Sequence, residues 1–242
     1  MKITNLVDKK LASDYVAIEL LKLIKDKPDA ILGLATGGTM TDVYSRFSEL
    51  ALANRVNLAK VQTFNLDEYV GLAPEHAQSY HTYMHQLLFD HNASWNADNI
   101  HIPQGHVEYL EREARRYEDQ LKQIGQPDIQ LLGIGENGHI GFNEPGTSFE
   151  SETRVVDLTE STINANSVHF DHIDDVPKQA VSMGLNSIMR AKRIILLAFG
   201  ERKRDAIHQL LNGETNESLP ASILHQHPNV EIIVDDTIFN RL

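Results

Sequence analysis

The clearest indication of the fold class is Ala30-Ile31-Leu32-Gly33-Leu34-Ala35, which is followed by Thr36-Gly37-Gly38-Thr39. Residues 30–35 are apolar or small and come directly after Pro28 and Asp29, so they predict a short buried strand. A glycine-rich turn follows, and the pattern of an amphipathic helix begins near Met40. A strand, a tight turn and a helix in immediate succession are typical of an α/β protein.

The same alternation continues along the chain. Further buried strands are predicted at residues 61–66, 129–134, 194–199 and 230–234. Helices are predicted at residues 11–25, 40–53, 79–90, 107–124, 179–190 and 201–212. Near-continuous apolar strands separated by helices indicate a parallel sheet that is covered on both faces. We therefore predict one doubly wound α/β domain over residues 1–242, with a mostly parallel sheet and helices on both faces.

Composition narrows the class of protein. The 242 residues carry a formal charge of −12, which argues against a broad nucleic-acid surface because such surfaces need clustered cations. The chain has no cysteine, so thiolate metal sites and a cysteine nucleophile are excluded. The charged first residues argue against a signal peptide, and the apolar run at 194–199 is too short to span a membrane. We expect a cytoplasmic protein without nucleic-acid or membrane partners.

In a parallel sheet of this kind, ligands bind beyond the carboxyl ends of the strands. The turn Thr36-Gly37-Gly38-Thr39 lies at such an end and leads into a helix N-terminus, where free amides favour an anion. It matches neither the Walker A motif nor the dinucleotide fingerprint, so anion binding and a plain tight turn both stay open. Thr39 and Asp42 have the spacing of a capping box.

The second strand end carries an acidic pair. Asp67 and Glu68 directly follow the strand predicted at 61–66, and a carboxylate at the mouth of the sheet can act as a general base. The alternative is that one of them only caps the next turn. The position of Asp67 at the strand end singles it out from the other acids of the chain.

The third strand end is the richest in polar groups. The segment from Gly135 to Gly146 surrounds His139 with glycines, amides and carboxylates. A histidine titrates near neutrality, and a carboxylate bonded to one ring nitrogen fixes its tautomer. Glu144 is the nearest downstream partner, and Glu136 is the competing one.

Together these motifs resemble the glucosamine-6-phosphate deaminase family, also called glucosamine-6-phosphate isomerase, in its short non-allosteric form. The resemblance rests on three segments in the family's order, at residues 33–39, 64–72 and 138–145, and continues through 176–178, 182–184 and 200–203. It covers nearly the whole chain. It implies conversion of glucosamine 6-phosphate to fructose 6-phosphate and ammonia, within amino-sugar catabolism and without a cofactor or metal.

The resemblance also implies the role of each site residue. His139 opens the sugar ring by moving a proton between two sugar oxygens, with Glu144 and Asn137 as its partners. Asp67 removes the C2 proton and returns a proton at C1. The turn made by Thr36, Gly37, Gly38 and Thr39 holds the phosphate together with Lys203.

Three departures from the family pattern bear on these expectations. Some relatives have an aspartate at the position of Asn137. Relatives have a phosphate-binding arginine where Val168 stands, so the site loses one cation or recruits another group, with His169 as the candidate. The allosteric hexameric relatives have longer C-terminal regions and a basic cluster near Arg154, which Val155 and its neighbours replace here. We therefore expect a monomer or a weak homo-oligomer without allosteric control.

Other features and functions compete with this interpretation. His81 and His85 have the spacing of two ligands on one helix face, but without a third ligand we expect no zinc site there, nor at His225 and His227. Trp95 is interpreted as a packing residue. A 6-phosphogluconolactonase-like lactonase is the alternative enzyme, and Asp67 argues against it. A non-catalytic sugar-phosphate sensor would need a DNA-binding module, for which the chain has no spare length.

Overall fold

The centre of the fold is a parallel sheet, described in a computed structural model of residues 1–242. The strands are β1 (Lys2–Asn5), β2 (Ile31–Leu34), β3 (Gln62–Asn65), β4 (Asp67–Tyr69), β5 (Ile100–His101), β6 (Ile129–Gly133), β7 (Arg154–Asp157), β8 (Gln179–Ser182), β9 (Ile194–Ala198) and β10 (Val230–Val234). The α-helices are α1 (Lys9–Asp26), α2 (Thr41–Ala53), α3 (Tyr80–Leu87), α4 (Leu110–Ile124), α5 (Glu160–Asn166), α6 (Leu185–Ile188), α7 (Arg204–Asn212) and α8 (Asp236–Phe239).

Seven strands form this sheet in the order β1-β10-β9-β6-β2-β3-β5, and every neighbouring pair is parallel. Every residue of β2, β9 and β10 is buried, which explains their near-continuous apolar sequence. One cluster of 50 buried residues joins the sheet to its helices. The predicted α/β fold class is therefore confirmed, and the five predicted strands all lie in this sheet, with β1 and β5 added at its edges.

The strand order has a switch point between β2 and β6. From β2 the chain proceeds to β3 and then β5 on one side, whereas from β6 it proceeds to β9 and then β10 on the other. Loops that leave two such strands separate from each other and open a crevice at the carboxyl ends. The ends of β9, β6, β2 and β3 consequently lie side by side, although they are far apart in sequence.

A second, antiparallel sheet has the order β4-β8-β7. The helix predicted at 179–190 is wrong, because residues 179–182 form β8, and only residues 185–188 are helical. Val181 pairs with Glu68 of β4 on one side and with Val155 of β7 on the other. Pairing with distant strands decides the conformation of so short a segment, and local periodicity does not reveal it.

The other helix predictions are confirmed with shifted ends. The helix predicted at 79–90 is α3 followed by a 3₁₀ turn at 89–91, and the one predicted at 201–212 is a 3₁₀ turn at 201–203 followed by α7. The capping box at Thr39 is wrong: α2 starts after Met40, which has helical dihedral angles, and no side chain caps it. Asp42 instead pairs with Lys9 at 2.7 Å.

Two further features complete the fold. The ring of Trp95 lies 5.3 Å from that of Phe89, edge to face, and packs against the main core, as expected for a packing residue. None of the helices combines the length and the apolar character that crossing a bilayer requires.

Candidate active site

A cavity of about 540 Å³ lies at the switch point of the sheet. Its wall takes residues from the segments that follow β2, β3, β6 and β9, the four central strands. Seven of the nine residues singled out from the sequence line it: Thr36, Gly37, Thr39, Asp67, Asn137, His139 and Lys203. The two acid–base candidates, Asp67 and His139, therefore open into one space.

Asp67 is the first residue of β4 and is only 6% exposed. Burial, together with the nearby charge of Glu68, raises the pKa of Asp67 to about 8. A Cβ atom added at Gly141, in the loop that carries His139, would lie 3.7 Å from Oδ2 of Asp67. The carboxyl group thus faces the histidine loop, and its raised pKa makes it a stronger base than a solvated aspartate.

His139 is held by the loop after β6. Its carbonyl oxygen accepts a hydrogen bond from the backbone N–H of Gly135 at 2.9 Å, and its own N–H donates to Oδ1 of Asn137 at 3.2 Å. The ring Nδ1 is buried and makes no hydrogen bond, but it lies 3.4 Å from Oε2 of Glu144, so a proton on Nδ1 would face the carboxylate and leave Nε2 free for a ligand.

Glu144 lies behind the histidine and does not line the cavity. Its carboxylate accepts hydrogen bonds from Nδ2 of Asn137 at 2.7 Å and from the hydroxyl of Thr162. Burial alone would raise the pKa of Glu144, but His139, Thr162 and Asn137 outweigh it and lower the pKa to about 2. Glu144, and not Glu136, is therefore the anionic partner of the histidine, and it stays charged at any physiological pH.

Gly135 leaves room for the imidazole. A Cβ atom at this position would lie 2.3 Å from Cε1 and 2.4 Å from Nδ1 of His139. We expect Gly135→Ala to displace the ring and lower kcat by at least about 10-fold, since misplacement of a catalytic group by 1 Å costs up to about 10²-fold. Steady-state kinetics with circular dichroism as a folding check would test this.

Gly133→Ala is the comparison for that variant, because Gly133 also lines the cavity but a Cβ atom there meets no protein atom within 4 Å. We expect it to have the smaller effect on kcat. Equal effects of the two alanines on kcat would contradict the steric explanation.

The glycine-rich turn forms the opposite part of the cavity. Gly37 has φ of 99°, a left-handed conformation that favours glycine, and its carbonyl oxygen accepts hydrogen bonds from Met40 N–H and from the hydroxyl of Tyr83. Thr36, Gly37 and Thr39 line the cavity, whereas Gly38 does not. The turn and the start of α2 thus offer an anion site with a fixed backbone.

The cations of the cavity follow β9. Burial lowers the pKa of the half-buried Lys203, which lines the wall together with Arg202. Arg202 is exposed and lies 3.6 Å from Glu136 in an ion pair. Val168 is 78% exposed, and neither it nor His169 lines the cavity. A second cation is therefore present, but at position 202 and not at 168 or 169.

Sequence reasoning missed several lining residues. They are Tyr80 on α3, the polar residues Ser161, Thr162 and Asn166 of the α5 region, and Arg202. Tyr80 stacks on Phe142 with ring centroids 6.3 Å apart. Arg202 could have been predicted, because it is adjacent to Lys203 in the sequence. The residues of α3 and α5 could not, because tertiary packing brings these helices to the cavity.

The remaining histidines have other contacts. The rings of His81 and His85 stack with centroids 4.4 Å apart, and His85 lies 2.9 Å from Asp90. His225 and His227 each contact a backbone carbonyl oxygen at 2.6 Å. Both closely spaced histidine pairs of the sequence are therefore occupied by contacts within the protein.

Comparison with known proteins identifies the relatives of this chain. A family model described as glucosamine-6-phosphate isomerases/6-phosphogluconolactonase matches residues 7–233. A glucosamine-6-phosphate deaminase of Staphylococcus haemolyticus (strain JCSC1435) is 96% identical over 242 residues, which is 100% of both chains. A solved monomeric glucosamine-6-phosphate deaminase is 44% identical, with a TM-score of 0.96 over 99% of each chain.

The lactonase branch is more distant. A 6-phosphogluconolactonase from Trypanosoma brucei is 18% identical, with a TM-score of 0.81 over 100% of this chain and 98% of that one. At this identity the likeness is one of fold alone. With a family model that spans residues 7–233 and a full-length relative at 96% identity, this chain belongs to the glucosamine-6-phosphate isomerase/6-phosphogluconolactonase family.

Proposed function

We propose that this chain converts glucosamine 6-phosphate and water to fructose 6-phosphate and ammonia, as one sugar-phosphate isomerase/deaminase domain over residues 1–242. The observation that carries the proposal is the shared cavity of Asp67 and His139, which also contains an anion-binding turn and Lys203. A cytoplasmic location and a monomeric or weakly associated state belong to the same proposal, and the monomeric relative supports the latter.

In the first stage, the substrate phosphate binds at the turn Thr36–Thr39 and Lys203, which fixes the sugar across the cavity. His139 takes the proton from the C1 hydroxyl and delivers one to the ring oxygen, so the C1–O5 bond breaks and an aldehyde forms. Glu144 faces Nδ1 of the His139 ring, while Asn137 accepts from the His139 backbone N–H and donates to Glu144, so the two residues keep the imidazole in place. Each well-placed proton transfer contributes about 10²–10⁴-fold to the rate.

In the second stage, Asp67 removes the proton from C2, which gives an enolamine with a double bond between C1 and C2. Protonation of C1 by the Asp67 carboxyl yields an imine at C2. Water adds to that imine and ammonia leaves, so the ketone of fructose 6-phosphate remains. The raised pKa of Asp67 suits both directions of this transfer, because the group must accept a carbon-bound proton and then return it.

The test of this function is ammonia release from glucosamine 6-phosphate, followed beside hydrolysis of 6-phosphogluconolactone. We expect ammonia and fructose 6-phosphate in equal amounts and no lactone hydrolysis above background. Lactone hydrolysis without ammonia release would favour the lactonase branch and contradict the proposal.

The phosphate assignment gives a separate prediction for Lys203. Lys203→Met removes a half-buried cation, and a hydrogen bond to a charged group is worth about 1.5–3 kcal/mol. We therefore expect KM for glucosamine 6-phosphate to rise by roughly 10- to 100-fold, with a smaller change in kcat. Arg204→Ala is the control, since its guanidinium pairs with Glu201 and Asp205 outside the cavity. Equal KM values in wild type and Lys203→Met would contradict the assignment of Lys203 as a phosphate ligand.

We also propose Arg202 as the second phosphate cation. Its pair with Glu136 is exposed and long, at 3.6 Å, and such surface pairs contribute only about 0–1 kcal/mol. A phosphate dianion in the cavity is a stronger partner for the guanidinium than this carboxylate. The cation that relatives supply from the position of Val168 would then come from the segment after β9.

A further inference from the structure

We propose that Glu68 is a positioning residue for the reaction: its buried carboxylate ties the strand that carries Asp67 to the start of α3, whose Tyr80 lines the cavity. The proposal rests on the proposed function and adds a residue that does not line the active-site cavity. Its support is the hydrogen-bond geometry of Glu68, its burial and its place in the chain beside Asp67.

The carboxylate of Glu68 accepts three hydrogen bonds from backbone N–H groups. Glu68 is 3% exposed, and its Oε1 accepts from the N–H groups of Tyr69 at 2.8 Å and Tyr80 at 3.0 Å. Its Oε2 accepts from the N–H of His81 at 2.9 Å. Tyr80 and His81 open the first turn of α3, where free amides and the helix dipole favour an anion. One side chain therefore joins β4 to the start of α3.

That junction lies between three parts of the active site. Asp67 is the neighbour of Glu68 on β4, and successive side chains of a strand point to opposite faces. Tyr80 lines the cavity from α3, and the hydroxyl of Tyr83, one turn further along, donates to the carbonyl oxygen of Gly37 at 2.8 Å. A shift of α3 against β4 would therefore change the spacing between the base, the aromatic wall and the anion-binding turn.

The charge of Glu68 also acts on the base. After burial, the charge of Glu68 is the second cause that raises the pKa of Asp67. Two other titratable groups, Tyr69 on β4 and Tyr80 on α3, donate their backbone N–H groups to Glu68. Glu68 also lines a second cavity of about 380 Å³, together with the histidines His81, His85 and His106. Among the acidic groups, only Asp67 and Glu68 adjoin each other at this junction, so neutralising Glu68 should strengthen Asp67 as an acid.

Glu68→Gln and Glu68→Asp separate the two effects. Glu68→Gln keeps the size but removes the charge and one acceptor oxygen, so we expect kcat to fall by at least about 10-fold and the acid limb of kcat/KM to move to lower pH. Glu68→Asp keeps the charge but is one methylene shorter. We expect its acid limb to stay at the wild-type pH while KM rises, because α3 is no longer held at the same distance.

Glu75→Gln is the matched control, since it removes one exposed carboxylate just before α3 and should leave the pH profile unchanged. A Glu68→Gln enzyme with a lower melting temperature but wild-type kcat and acid limb would show a structural role only and overturn the proposal. If Glu68→Gln does not fold, wild-type KM and kcat in Glu68→Asp would overturn it. Absence of ammonia release by the wild type would instead count against the proposed function.

Discussion

Asp67→Asn should lower ammonia release by about 10²–10⁴-fold, because the variant lacks the base that moves a proton between C2 and C1. The same substitution should stabilise the folded protein at alkaline pH. The carboxyl of Asp67 is 6% exposed, and burial with the charge of Glu68 raises its pKa from 3.8 to about 8. The wild type therefore holds a buried carboxylate at a cost in stability that the asparagine does not have.

The pH dependence of this cost has a definite sign. Below about pH 4 the carboxyl is protonated in the folded and the unfolded state, and Asp67 adds no penalty. Between about pH 4 and 8 the folded state binds more protons than the unfolded state, so the free energy of unfolding falls as pH rises. Above pH 8 the full penalty is present, up to roughly 6 kcal/mol at 1.36 kcal/mol per pKa unit.

Denaturant unfolding of wild type and Asp67→Asn at pH 5 and pH 9 would measure this difference. We expect the advantage of the variant to be larger at pH 9. The wild-type kcat/KM should rise with pH through a limb near 8, since the base acts as a carboxylate. An Asp67→Asn enzyme with wild-type turnover would contradict the assignment of the base.

His139→Gln should lower turnover by a similar factor of about 10²–10⁴, because glutamine cannot carry a proton between two sugar oxygens. Its amide can still contact Glu144, so we expect the fold and the affinity for the phosphate to be kept. The measurement is kcat and KM for ammonia release. His208→Gln on the exposed face of α7 is the control and should turn over like the wild type. Normal turnover of His139→Gln would exclude the histidine from the ring-opening step.

The central sheet was predictable because its strands are buried on both faces. Residues such as Ile194 and Val230 begin apolar runs that need no partner to be recognised, and the observed strands match those runs closely. The short strand β8 was not predictable, because Val181 is extended only through its pairs with Glu68 and Val155. Local pattern carries no information about such distant partners.

The active site likewise contains residues that the sequence predicts and residues that it does not. Asp67, His139 and Lys203 each follow a predicted strand, so the rule that ligands bind at the carboxyl ends brings them together. Tyr80 and Thr162 lie on helices α3 and α5 and do not follow a strand of the central sheet. Tertiary packing brings them to the cavity, and the local sequence does not indicate it. Arg202, the cation that was not predicted, could have been predicted from the sequence, since it precedes Lys203 in the segment after β9.

A crystal structure with an open-chain substrate analogue, in which the aldehyde carbon is reduced to an alcohol, would show whether Asp67 and His139 act on one bound sugar. We expect the phosphate at Gly37, Thr39 and Lys203, with the Asp67 carboxylate within hydrogen-bond reach of the C1–C2 region and His139 facing the C1 and C5 hydroxyls. An analogue that touches only one of Asp67 and His139, or whose phosphate lies away from the turn at 36–39, would contradict this expectation.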